Sequence, residues 1–400
     1  MHVIDLHCDT IREIWLARLR GEQLSLRPAA KMDDYTMAGS DHASTAQSHH
    51  SLQIDLQKLQ EGGYLLQNFA LFADLRMPAV VSAMTPKHAC NQVSASGSAQ
   101  DSSSVYTMAS MFASSPLPAG EYMDPWFQVT EMIRVFGEEM ASNAGVIRQV
   151  RCRKDLEENM AAGRISALLT TEEGGILQGK LERLETLFDA GVRMMTITWN
   201  YENELGFPNR PPEGFSEDFC RFFQFQPQSG NGLTAFGADA VKRMEELHIL
   251  PDVSHLSDEG FFDVARIVKG PFVASHSNAR ALCGCNRNLT DEMIRMIGEH
   301  GGVIGLNLCP SFLTEADREE DCFSSCEALS RHARHIMNVG GKEVLALGSD
   351  FDGIRPVNLE MEHAGQVQKL ASCMRKNGFT EDEIERIYYR NALRLYREVL

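Results

Sequence analysis

Val3-Ile4-Asp5-Leu6 runs directly into His7-Cys8-Asp9. The apolar run reads as a short β-strand whose end carries a pair of metal-ligand types. Side chains alternate along an extended segment, so His7 and Asp9 point the same way and can chelate one ion. The device recurs. Further strands are predicted at Tyr64–Phe72, Ile165–Thr170, Met194–Thr198, Leu250–Ser254, Phe272–Ser275, Val303–Leu308 and Val344–Gly348. Glu173, His255, His276 and Asp350 follow the third, fifth, sixth and eighth of these. Between the strands, apolar residues recur at three- and four-residue spacing, as in Leu181–Ala190, Ala240–Leu247, Asp258–Val268, Asp291–His300 and Ala328–Val339. Thr290 and Thr380, each followed by two acidic residues, are N-cap signals.

Strands alternating with helices predict an α/β fold, a (β/α)8 TIM barrel. An open doubly wound sheet is the alternative, but there only the strands beside a switch point share a site. Ligands on strands 1, 3, 5, 6 and 8 converge only on a ring. Two insertions break the alternation, one after strand 2 and one after strand 4. The first, at about 77–124, is rich in Ser and Ala without periodicity and reads as a poorly ordered surface excursion. The second, Tyr201–Gly232, carries Phe207, Phe215, Phe219, Phe222, Phe223 and Phe225, and reads as a wall or lid over a substrate. Residues 1–400 form one catalytic domain on this reading.

Bulk properties narrow the function. At 400 residues, 43% hydrophobic and 23% charged, the chain has the make-up of a globular protein. A net charge of −17 argues against nucleic acid, whose phosphates call for Lys and Arg. There is no apolar stretch of membrane-spanning length and no apolar leader before His7. The 10 cysteines are scattered, and neither Cys283/Cys285 nor Cys322/Cys326 has zinc-ribbon spacing. Reduced thiols point to the cytoplasm.

Three carboxylates and three imidazoles are too many for one tetrahedral ion. They suit two ions ~3.5–4 Å apart that share a carboxylate and a water. His7 and Asp9 are expected to hold one ion and His255 and His276 the other, with Glu173 between them. The mixed N and O donors favour two Zn²⁺ per chain, with Mn²⁺ or Co²⁺ as substitutes.

The segments DLHCDT, TTEEGG, TITWN, GLTAFG, PDVSHLSD, VASHSNAR, NRNLTDEM and GSDFDG, in this order, resemble the renal or membrane dipeptidase family of the amidohydrolase superfamily. The chain looks most like a bacterial, unanchored member, and the match leaves out only the Ser-rich stretch. The resemblance implies a (β/α)8 barrel, two zinc ions bridged by a glutamate, and hydrolysis of dipeptides, L,L and L,D, by a bridging hydroxide. It also implies Asp350 as acid/base and Arg287 as the grip on the substrate carboxylate. Glu173 is taken as the bridge over Glu172 because it abuts Gly174-Gly175, as in the family. One position departs. Trp199 stands where vertebrate members carry a carbonyl-polarising histidine, and Asn200 or Asn203 would supply the lost donor, so Trp199 and Asn203 join the substrate-binding set.

A lactonase or deaminase on the same barrel, or a non-catalytic metal-binding protein, are the alternatives. Those enzymes commonly open with His-x-His and a bridging lysine, where this chain has His-x-Asp and no such Lys. The partners expected are a dipeptide and a second copy of the chain, without nucleic acid or membrane. Asp352 is a candidate to orient a ligand. His332 and His335 read as a basic surface stripe on a helix.

Overall fold

A computed structural model describes residues 1–27, 52–77, 122–209, 231–316 and 321–400. The Ser-rich stretch and most of the aromatic loop lie outside them, including Phe215 through Phe225. Within them the strands are β1 (Val3–Asp5), β2 (Tyr64–Phe72), β3 (Ile147–Val150), β4 (Ile165–Glu172), β5 (Val192–Thr196), β6 (Leu250–Asp252), β7 (Ile304–Leu306) and β8 (Leu345–Leu347). All pair in parallel, in the order β6-β5-β4-β2-β1-β8-β7. Isolated parallel bridges, Asp252 to Val273 and Ala274 to Ile304, connect the two end strands through the expected sixth strand. The sheet is therefore curled, with helices following its strands, which is consistent with a TIM-type barrel.

Packing tells the same story. Ile4 and Leu6, Leu66, Leu168, Met194, Leu250, Val273, Val303 and Ala346 form one buried cluster to which every stave contributes. The last helix, Asn391–Val399, adds Ala392, Leu393, Leu395 and Tyr396 to it. The Tyr396 hydroxyl donates to Asn68 Oδ1 at 2.9 Å. This closes one end with apolar side chains and a satisfied polar tip.

The strand absent from the sequence reading is β3. It pairs with β4 along residues 165–168, while β5 takes the same edge of β4 at 169–171. Ile147-Arg148-Gln149-Val150 buries only its two end residues, is short and sits between two helices, Pro125–Ser142 and Arg153–Ala161, which mask it. Thr290 and Thr380 cap their helices as expected, accepting from Met293 N and Glu383 N. His332 does not lie on a surface stripe. It is buried, and its ring joins the Ala279 amide (3.1 Å) to the Leu313 carbonyl (3.2 Å). His335 is half-buried against Asp291 at 2.7 Å. No helix among the described residues is long and apolar enough to cross a membrane.

Candidate metal centre

Five chain segments meet at the C-terminal ends of the strands. His7 and Asp9 follow β1, Glu172 ends β4, His255 follows β6, His276 follows the 272–275 stave, and Asp350 follows β8. All six are buried. His7 Nε2 lies 3.6 Å from Asp9 Oδ2, 3.6 Å from Glu172 Oε2 and 3.9 Å from Asp350 Oδ1. Glu172 Oε1 lies 3.2 Å from His255 Nε2 and 3.5 Å from His276 Nε2. The two oxygens of Glu172 thus face two different groups of donors.

Glu172, not Glu173, is the carboxylate that faces His7, His255 and His276, so the expectation that Glu173 lies between them is corrected. Strand β4 runs to Glu172, two and four residues beyond Thr170 and Leu168, and Leu168 lies in the cluster shared by all the staves. Period two puts Glu172 on that inner face. Glu173 leaves the strand with φ 95°, and its carboxylate accepts from Gly175 N (2.6 Å), Trp199 N (3.0 Å) and the Asn203 amide. The glycine pair serves packing, since a Cβ on Gly174 would collide with the Ile197 carbonyl. Burial raises the Glu173 carboxyl to about 7 against the pull of those three bonds. Burial pushes Glu172 upward too, but His7, His255 and His276 outweigh it and hold this carboxyl well below the usual range.

Asn203 is spent on structure. Its amide nitrogen donates to Glu173 and Ile197 O, and its oxygen accepts from Leu205 N and Gly206 N. These four bonds take up its amide group within the loop. Asn200 instead lies with Oδ1 3.0 Å from His255 Nδ1. The Trp199 ring packs on Phe72 (4.6 Å between centroids) and Tyr201 (5.4 Å), 6.2 Å from His255, as one wall of the site.

The donor set fits divalent cations. His7 Nε2 and Asp9 Oδ1 are buried without a hydrogen-bond partner. His255 and His276 aim Nε2 at one another across 3.1 Å, while each Nδ1 is taken up by a neighbour. Burial, aided by Arg287, lowers His255 to about 4, and burial with His7 and Arg287 holds His276 well below its ordinary value. Neutral imidazoles facing carboxylates are the form that binds metal. Two groups have converging ligand atoms, His7/Glu172/His276 and His7/Asp9/Asp350.

Around this cluster the backbone is unusual. Glu173, His255, Asp350 and Asp352 have φ between 65° and 95°, a region side chains rarely adopt and one that gathers at functional sites. A Cβ on Gly353 would collide with the Asp9 and Asp350 carboxylates, a constraint no motif announced. Asn307, also unannounced, donates to Asp350 Oδ2 at 3.1 Å. Asp352 accepts from Thr10 Oγ1 (2.7 Å) and Gln53 N (2.6 Å), tying the loop of Asp350 to the helix that follows Asp9. Arg287 is buried, donates from Nη1 to Ser277 Oγ at 2.7 Å, and lies over the Phe312 ring at 5.5 Å. Its Nε and Nη2 are buried without partners.

A curled parallel sheet with a buried His/Asp/Glu cluster at the C-terminal strand ends is the arrangement of a barrel metalloenzyme. The whole chain, residues 1–400, matches the model of the membrane dipeptidase family, peptidase family M19, and the chain belongs to that family. A Klebsiella pneumoniae relative, described as an uncharacterized protein in the pqqA 5′ region, is 32% identical over 276 residues, 69% of this chain and 97% of the relative. Two solved structures share the fold over 100% of this chain, each with TM-score 0.73 and 22% identity. One is the dipeptidase AC, a metallopeptidase of family M19 covered to 98%. The other is a Rhodobacter sphaeroides metallopeptidase, covered to 99% and bound to a phosphinate mimic of the dipeptide L-Ala-D-Ala. The probable dipeptidase PvdM of Pseudomonas aeruginosa matches 97% of this chain and 98% of its own, with TM-score 0.70 and 19% identity.

Proposed function

We propose that this chain is a single-domain, metal-dependent dipeptidase that holds two divalent cations, zinc foremost, and acts on L,L- and L,D-dipeptides in the cytoplasm. The observation that carries the reading is Glu172, whose two oxygens face His7 on one side and His255 with His276 on the other. His7, Asp9 and Asp350 would hold one cation, His255 and His276 the second, and Glu172 both. Bound there, the cations supply an acidified water and polarise the scissile carbonyl.

The chain's own groups do the rest. Arg287 grips the free carboxylate of the substrate with Nε and Nη2, a planar fork already desolvated. That grip limits the reaction to short peptides, because a longer one carries no carboxylate at that reach. Asp350 is raised to about 7 by burial and by Asp9 and Glu172, against His7 and Arg287. Asn307 occupies its Oδ2, so Oδ1 takes the water proton and passes it to the leaving amine. Phe72, Trp199 and Tyr201 close one side with aromatic surface. The relative solved with an L-Ala-D-Ala mimic supports a D-residue at the C-terminal position. Eight described cysteines are free thiols, in keeping with a reducing compartment.

The test is metal analysis of the purified chain together with a screen of L,L- and L,D-dipeptides and their C-terminal amides. Two zinc ions per chain and cleavage confined to substrates with a free carboxylate are expected. A metal-free chain, or equal cleavage of the amides, overturns the proposal.

A further inference from the structure

Asp252, the last residue of β6, is buried three residues before His255, and its hydrogen bonds go to serine and threonine groups. Its Oδ1 accepts from the amides of Ser254 (3.0 Å) and Ser275 (2.8 Å), and its Oδ2 from the hydroxyls of Thr196 (2.6 Å) and Ser275 (2.5 Å). These donors come from β5, from the turn after β6 and from the next stave. One carboxylate therefore fixes the start of both loops that carry His255 and His276. Ser254 adds a second tie, its hydroxyl accepting from His276 N at 3.1 Å.

The Ser275 hydroxyl also lies 2.7 Å from His276 Nδ1. A hydroxyl has one proton to give. Asp252 has only acceptors to offer, so the proton of Ser275 points at Asp252 and its lone pair at the ring. His276 must then carry its hydrogen on Nδ1, which leaves the Nε2 lone pair facing Glu172 and His255. His255 Nδ1 meets a neutral amide oxygen, that of Asn200, so the two rings are oriented by partners of different strength.

We infer that Asp252 is a positioning residue: through the Ser275 hydroxyl it sets the tautomer of His276, and thereby the affinity of the His255/His276 cation position. This rests on the proposed metal centre. A partner behind a metal-bound histidine raises its basicity and locks its ring, and removing such a partner typically costs about 10–100-fold in metal affinity.

The test follows zinc leaving the loaded full-length protein for a chromogenic chelator, alongside ¹⁵N-histidine spectra. Ser275→Ala is expected to weaken one zinc position about 10–100-fold and leave the other unchanged. Ser275→Thr, which keeps the hydroxyl, restores it, a rescue that mere packing would not produce. Asp252→Asn follows Ser275→Ala; should it fail to fold, Ser275→Ala, one oxygen smaller than wild type, carries the test. The wild-type spectrum is expected to show His276 protonated on Nδ1. Unchanged release of both zinc ions from the folded variants, or His276 protonated on Nε2, overturns the inference. A wild type that holds no zinc overturns the metal centre instead, and the tautomer spectrum still decides the relay.

Discussion

The same strands end in opposite chemistries. Towards their N-terminal ends Ile4, Leu66, Leu168 and Leu250 share a buried apolar cluster with the last helix, and the polar tip of Tyr396 is satisfied by Asn68. At their C-terminal ends, buried carboxylates and imidazoles crowd together, with His7 Nε2 and Asp9 Oδ1 lacking partners and four side-chain-bearing residues at positive φ. Burial of satisfied or apolar groups stabilises the fold, whereas unpaired buried polar atoms cost about 1–3 kcal/mol each. One end therefore holds the curled sheet together and the other spends part of that stability to keep its polar groups in place.

The sharpest way to break this contrast is at Glu172. Glu172→Gln removes the charge both donor groups share; metal content is expected to fall at both positions and turnover by more than about 10²-fold. Glu173→Gln is the control, with two ions retained. Metal loss in the second variant and not the first would return the bridge to Glu173. Next, Asp350→Asn is expected to lower kcat by about 10²–10⁴-fold with KM little changed, the range for positioned proton transfer. Near-normal kcat with both ions bound would take the acid/base role from Asp350.

At the opposite end, Leu168→Ala should lower unfolding free energy by about 2–5 kcal/mol while the folded fraction keeps its metal content and kcat. A large loss of metal would show that the two ends are not separable. Arg287→Ala is expected to raise KM for free dipeptides by the equivalent of about 1.5–3 kcal/mol and to leave the amides as they were. An equal effect on both substrates would place Arg287 outside carboxylate recognition.

The smallest effect lies in the C-terminal helices. Arg334 beside Glu383, with Thr380 at the helix start, holds the Glu383 carboxyl down to about 2. A depressed carboxyl stabilises the fold above its unfolded value near 4.5, and the contribution fades as pH falls from there toward 2. Because the pair is partly open to solvent, about 1 kcal/mol is expected. Unfolding curves of wild type and Glu383→Gln should converge only as pH falls to about 2; a gap that persists there would assign the effect to packing.

Much of this was legible in one dimension. Seven of the eight predicted strands are present, and the eighth, 272–275, is marked by isolated bridges, because apolar runs and helical spacing are local signals, readable from neighbours in the chain. His7, Asp9, His255, His276 and Asp350 stand together because each directly follows a strand, and parallel strands bring their C-terminal ends to one face. Arg287 lies buried, with Nε and Nη2 unpartnered.

Other matters waited for tertiary structure. Choosing between Glu172 and Glu173 required knowing where β4 stops, since one residue flips a side chain to the opposite face; the inward parity of Leu168 and Thr170 was the available signal. Asn203 and Trp199 were placed by their contacts with Glu173, which no spacing announces. His332 looked like a surface residue until Ala279 and Leu313 closed over it. Asp252, Ser275, Asn307 and Gly353 act across loops that are distant in sequence, so the chain by itself determined which ends carry the chemistry, and only the packing of those loops decided which atoms face one another.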